Sequence, residues 1–181
     1  MRADALRNRA RVLAAAETVL TRDGLDTPMR AIAREAGVGV GTIYRQYPTK
    51  EALYQAIMAD RMRQLAAEAG TLAGAAQPGK AFFAFFASIV ADATTKKIFA
   101  DALEEAGIDA KATEPEAAHE VLRAIEALLV RAQRAGAVRE DVAMPELLGL
   151  LAGACMAAKQ QQWDEPLRTR TLGVIFDGLR G

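Results

Sequence analysis

The sequence predicts an all-α fold of about nine helices. Apolar residues recur three and four apart through almost every segment, and the β-branched alternation that marks a strand is absent. Helix punctuation stands at the segment ends: Thr27-Pro28, Pro48-Thr49, Pro115, Pro145 and Pro166 at openings, Gly24 and Gly37 at closings. No repeat with a solenoid period is present.

Taken in order, the first helix spans 6–22 with Leu6, Ala10, Leu13, Ala14, Thr18 and Val19 on one stripe, and Asp23-Gly24 closes it. Thr27 is the expected N-cap of a short second helix, with Pro28 at its first position, running through Ile32 and Ala33 to Ala36-Gly37. The run Gly37-Val38-Gly39-Val40-Gly41 permits a tight connection. A third helix over 42–47 must end before Pro48, because a residue preceding proline avoids the α region. The fourth opens at Pro48 or Thr49 and passes Lys50, Leu53, Ile57, Arg61 and Leu65. It fades into a small-residue loop over 70–79. Five more helices are expected over 80–93, 95–106, 115–134, 145–162 and 166–179.

The formal net charge is zero, yet residues 1–64 hold eleven basic and seven acidic side chains against twelve and sixteen in 65–181. That asymmetry places the basic surface at the N-terminal end. The longest nearly uncharged apolar stretch, 147–158, is too short to cross a bilayer, and Glu17 interrupts the first apolar run, so no membrane contact is expected and the chain is expected in the cytoplasm. One cysteine, Cys155, and one histidine, His119, exclude an internal disulfide and a Cys/His zinc site. No metal, cofactor or catalytic group is expected.

Residues 27–50 form a helix-turn-helix pattern. Small Ala33 lets the second short helix cross closely, Gly37 tolerates the turn, and Ile43 packs the second helix back on the first. The opposite face offers Thr42, Tyr44, Arg45, Gln46 and Tyr47 with Lys50 just beyond, all carrying donors of the kind that meet phosphates and base edges. Thr27, Ile32-Ala33, Ala36-Gly37-Val38, the block 41–47 and the block 48–53 resemble the N-terminal DNA-binding domain of the TetR family of regulators, over roughly residues 7–60.

That resemblance implies a homodimeric repressor of a palindromic double-stranded DNA operator, released by a small-molecule effector. It divides the chain into an N-terminal three-helix helix-turn-helix domain, 1–50, and a C-terminal helical bundle for ligand binding and dimerisation, 51–181. Carried over, Thr27, Thr42, Tyr44 and Lys50 meet the DNA backbone, and Val40, Gly41, Arg45 and Gln46 lie nearest base edges. Tyr47 stands at a position often Phe, so packing is equally open to it. Gly39 departs from the family's frequent serine, which removes a phosphate contact or passes it to the main-chain amide.

Rival readings are weaker. A Gly-x-Gly-x-Gly run could mark a dinucleotide turn, but Thr42 stands where the third fingerprint glycine belongs and no strand precedes it. An enzyme would need a base, and His119 has no cysteine nucleophile close in sequence. A DNA-free interaction module could use the same helices. In the C-terminal part, Phe82, Phe83, Phe85 and Phe86 crowd one turn and a half and cannot all face one way, so core and cavity wall are both open to them. Met62, Phe82, Phe86 and Phe99, with His119 as a polar contact, are the expected ligand residues. The apolar run of 145–162, with small Gly149 and Gly153, and Leu172, Ile175, Phe176 and Leu179 beyond it, are more apolar than outer helices of a monomer, and the resemblance implies dimerisation through these last two helices.

Overall fold

A computed structural model describes residues 2–107 and 115–181, with the side chains of 2–6, 94–98, 100, 115 and 117 also outside the description. Eight helices are present among the described residues: α1 (Arg2–Asp23), α2 (Met29–Ala36), α3 (Val40–Gln46), α4 (Lys50–Leu72), α5 (Pro78–Glu105), α6 (Pro115–Arg134), α7 (Met144–Gln161) and α8 (Glu165–Leu179). None is long and apolar enough to cross a membrane.

Several ends differ from expectation for local reasons. Pro28 has an extended ψ of 146° and is itself the N-cap of α2, so Thr27 lies outside the helix and its side chain caps nothing. Helix α3 starts at Val40, two residues early, capped by Gly39. The two helices expected over 80–93 and 95–106 are one: Thr94 and Thr95 lower helix propensity by only a few tenths of a kcal/mol, and neither glycine nor proline interrupts the ladder.

The chain forms two compact units. Unit 1 takes Met1–Met62 and Ile98–Pro115; unit 2 takes Arg63–Lys97 and Glu116–Gly181. The division expected at residue 50 therefore falls inside unit 1, and both α4 and α5 furnish residues to each unit.

In unit 1 the inward stripe of α1 is Val12, Leu13, Ala16, Val19 and Leu20. Ala10, Ala14 and Thr18, expected on it, are exposed, and the side chain of Leu6 lies outside the described residues. The bulky aliphatics set the helix's rotation, whereas alanine fits either face. Against this stripe pack Ile32 and Ala33 of α2, Ile43 of α3, Leu53 and Ile57 of α4, and Phe99 and Leu103 from the end of α5. The last two are 0% exposed.

In unit 2, α5 buries Phe82, Phe85, Phe86 and Val90, α6 buries Ile125, Leu128 and Leu129, and α7 buries Leu147, Leu151, Ala154 and Ala158. Helix α8 closes the core with Leu172 and Leu179, while the Phe176 ring meets Phe83 at 4.7 Å and Phe86 at 5.5 Å. Gly79 belongs to the first turn of α5. A Cβ there would lie 2.4 Å from the Ala137 Cβ, so only glycine lets these backbones approach.

Candidate nucleic-acid interface

Helix α2 ends on Gly37 at φ 65°, ψ 36°, and the Val38 amide donates back to the Ala33 carbonyl at 3.0 Å. This left-handed cap reverses the chain in two residues, and a side chain there would be strained. It sets α3 going with the Thr42 amide bonded to the Gly39 carbonyl at 2.9 Å. Helix α3 buries only Ile43.

Everything else on α3 faces outward or nearly so. Val40 is 42% exposed and Tyr44 51%, both large apolar surfaces left uncovered by the chain itself, and Gly41, Arg45 and Gln46 are exposed beside them. Thr42 and Thr27 are half-buried. Tyr47 is the exception among the expected DNA-binding side chains: at 5% exposure it is part of the unit 1 core, so its ring packs rather than presenting a surface. Arg30 and Arg34 are exposed one turn apart on α2, which has no acidic residue in its first turn. Both lie on the first helix of the helix-turn-helix, away from the residues of α3 expected to face DNA.

Thr49 caps α4, its Oγ1 accepting from the Ala52 amide at 3.2 Å. Lys50 therefore sits at the first helical position, where the unpaired amides carry partial positive charge and a cation is disfavoured by roughly 0.3–1 kcal/mol. Helix stability therefore does not account for a cation at this position. The half-buried Lys50 Nζ also donates to the Leu25 carbonyl at 2.7 Å, and the Tyr54 hydroxyl donates to the same oxygen at 3.3 Å. Neither hydrogen bond was legible in the sequence, since a backbone acceptor leaves no side-chain signature.

Gly41 has ordinary helical geometry, and an added Cβ would meet nothing within 4 Å. The fold has no need of glycine there. We expect Gly41→Ala to raise the melting temperature by about 2 °C, since glycine in a helix costs roughly 0.8–1 kcal/mol relative to alanine. Operator affinity in an anisotropy titration is expected to fall, because the methyl group stands where a base edge would approach. Unchanged affinity would remove Gly41 from the interface.

The remaining expected site residues are dispersed. An apolar cavity in unit 2 is lined by Phe82, Phe85, Phe86, Ile89, Ile125, Leu128, Leu147 and Leu151. Phe82 and Phe86 are thus on its wall, but Met62, Phe99 and His119 are not. Met62 is half-buried on α4, His119 is exposed on α6, and Phe99 is in the unit 1 core with its ring 5.7 Å from that of Tyr54. Among the described residues no group of three or more His, Cys, Asp or Glu side chains could hold a metal ion.

Comparison with known proteins places this architecture. Residues 12–57 match the model for bacterial regulatory proteins of the tetR family, and residues 77–181 match the model for the C-terminal domain of SbtR-like transcriptional regulators. The chain is 42% identical to a TetR transcription regulatory protein from Mycobacterium vanbaalenii, covering 99% of each chain with a TM-score of 0.83. It is 33% identical to a TetR transcriptional regulator from Streptomyces coelicolor, over 95% of this chain and 98% of that one, with a TM-score of 0.78. At 16% identity, the transcriptional regulator FadR from Bacillus subtilis, solved with stearoyl-CoA, shares the fold over 94% of this chain and 99% of that one, with a TM-score of 0.62. A search of curated proteins returns no match. The chain belongs to the TetR family of transcriptional regulators, DNA-binding proteins and not enzymes.

Proposed function

We propose that the chain is a homodimeric repressor that reads a palindromic operator with α3 and releases it when a small apolar molecule enters unit 2. The observation that carries the DNA-reading half is the outward face of α3, where one buried residue, Ile43, anchors a helix that leaves Val40, Tyr44, Arg45 and Gln46 exposed and Thr42 half-buried. A seven-residue helix of this kind fits the major groove with Arg45 and Gln46 toward base edges, and Thr27, Thr42, Tyr44 and Lys50 toward phosphates. Arg45→Ala is expected to relax preference at one base position per half-site, costing ~1–3 kcal/mol there if Arg45 reads guanine. Selection of binding sites from random duplexes checks this, and an unaltered preference would exclude the role.

Dimerisation is assigned to the outward faces of α7 and α8. Leu147, Leu151, Ala154 and Ala158 belong to the core of unit 2 and are not available to a partner. The opposite face of α7 carries exposed Leu150 and Met156 with small Gly149 and Gly153, and α8 adds Val174 at 75% exposure. Small residues permit close helix approach, and a C2 dimer brings the same patch from both copies together.

The effector half rests on the cavity of unit 2. At ≈ 10 Å³ it holds about one water, and no polar group lines it, so an occupant must be apolar and must push Phe82, Phe85 and Phe86 away from α6 and α7. A ligand that must enlarge so small a cavity binds one conformation better than another, which is what a switch requires. A hundredfold preference is worth ~2.7 kcal/mol. Operator titrations across a panel of uncharged hydrophobic compounds test this reading. At least one is expected to lower affinity, and Phe86→Ala to change that response while sparing ligand-free DNA binding. A panel with no effect would leave a regulator controlled by its concentration alone.

A further inference from the structure

Two donors from the start of α4 converge on one backbone oxygen. The Leu25 carbonyl, in the turn between α1 and α2, accepts from Lys50 Nζ at 2.7 Å and from the Tyr54 hydroxyl at 3.3 Å. A carbonyl has two lone pairs, so it serves both donors at once. Lys50 and Tyr54 are four residues apart, which places them one above the other on the same helix face.

This arrangement does something particular for Lys50. An ammonium tethered through one N–H keeps two more for an anion. A lysine free to rotate would lose that freedom on meeting DNA, whereas one already held has less to lose. The tether is only as firm as the carbonyl it uses. Tyr54 supplies that firmness, because its ring is 4% exposed and packed against Phe99 in the core, so its hydroxyl reaches Leu25 from a fixed base. Burial, with Glu51 and Asp26 adding to it, pushes the Tyr54 hydroxyl above its ordinary pKa and keeps it a donor.

We propose, resting on the assignment of Lys50 to a DNA phosphate, that Tyr54 is a positioning residue for DNA binding: its hydroxyl fixes the Leu25 carbonyl, which in turn holds the Lys50 ammonium ready for the phosphate. Tyr54 touches no DNA in this scheme. Its effect passes wholly through Lys50.

The test uses the full chain and a short mixed-sequence DNA duplex, since a phosphate contact needs no particular sequence, with affinity read by anisotropy over a range of salt. Lys50→Ala is expected to flatten the slope of log K against log salt by ~0.9 for each phosphate no longer neutralised. Tyr54→Phe keeps the ring and removes one oxygen; it should weaken binding about threefold to tenfold, the range one hydrogen bond spans. In the Lys50→Ala background the same change should weaken binding by less than about twofold, because effects of residues acting through one another do not add. A tyrosine that merely supports the fold would weaken both backgrounds equally, and that result overturns the proposal. So does full affinity in Tyr54→Phe. An unchanged slope in Lys50→Ala overturns the Lys50 assignment together with the proposal, whereas a flattened slope with additive effects overturns the role of Tyr54 alone. Replacement of Tyr54 by 4-aminophenylalanine, which keeps ring and donor, should bind within about twofold of the parent. It carries the test should Tyr54→Phe fail to fold, and loss of binding there would count against the proposal.

Discussion

Val174→Arg is expected to give a monomer that melts like the parent chain. The side chain is 75% exposed on α8, so within one copy the substitution buries nothing and clashes with nothing. In a symmetric dimer it would bring two unpaired guanidinium groups to one apolar seam. Leaving a charge buried without a partner costs roughly 3–5 kcal/mol, so the dimer dissociation constant should rise at least about hundredfold. Operator affinity should fall with it, because a single copy engages one half-site without the gain from linkage. Light scattering with parallel thermal melts checks both halves. An intact dimer would move the interface off this face, with α6 next in line. Truncation after Gln162 is a poorer test, since it also removes Phe176 from its stack on Phe83 and Phe86.

Phe99→Ala should be among the most damaging single substitutions. The ring is 0% exposed and packs with Tyr54 inside the unit 1 core, and truncating such a phenylalanine typically costs roughly 3–5 kcal/mol. For a chain of this size the melting temperature should drop by roughly 10 °C. DNA binding at elevated temperature should fail in parallel, while the response to hydrophobic compounds at low temperature should match the parent chain, because Phe99 is absent from the cavity lining. Calorimetry and operator titration separate the two effects. A variant that melts normally but has lost its response to those compounds would restore Phe99 to the ligand site.

What could be read from the sequence follows the range of the signals. Pro28, Gly37 and Pro48 punctuate residues 27–50 so densely that the helix-turn-helix was legible, and the left-handed φ of Gly37 is what its position required. Thr42, Tyr44, Arg45 and Gln46 are legible as outward because Ile43 is the only strongly apolar residue between them. Long-range packing leaves no such mark. Gly79 reads as part of a small-residue loop, although its missing side chain answers to Ala137 across the unit. The α7 segment is apolar on two faces, so nothing in the sequence tells Leu147 and Leu151, which are buried, from Leu150, which is not. Phe99 groups with Phe82 and Phe86 by residue type, yet the uninterrupted helix carries it four turns further along, into the other unit.

That shared helix bears on how such regulators can be recombined. The tetR-family model matches residues 12–57, a stretch that looks like a cassette ready to be joined to a different sensor. Its core, however, is completed by Phe99 and Leu103, two side chains with no exposed surface that come from beyond the match. A chimera cut at residue 57 would leave a cavity where those side chains stood, and its new sensor would have to supply aromatic and aliphatic bulk of the same shape at the same place. Exchange between relatives is therefore restricted to donors whose corresponding helix ends in a compatible plug, and the unit that can be transplanted is discontinuous: residues 1–62 together with 98–105.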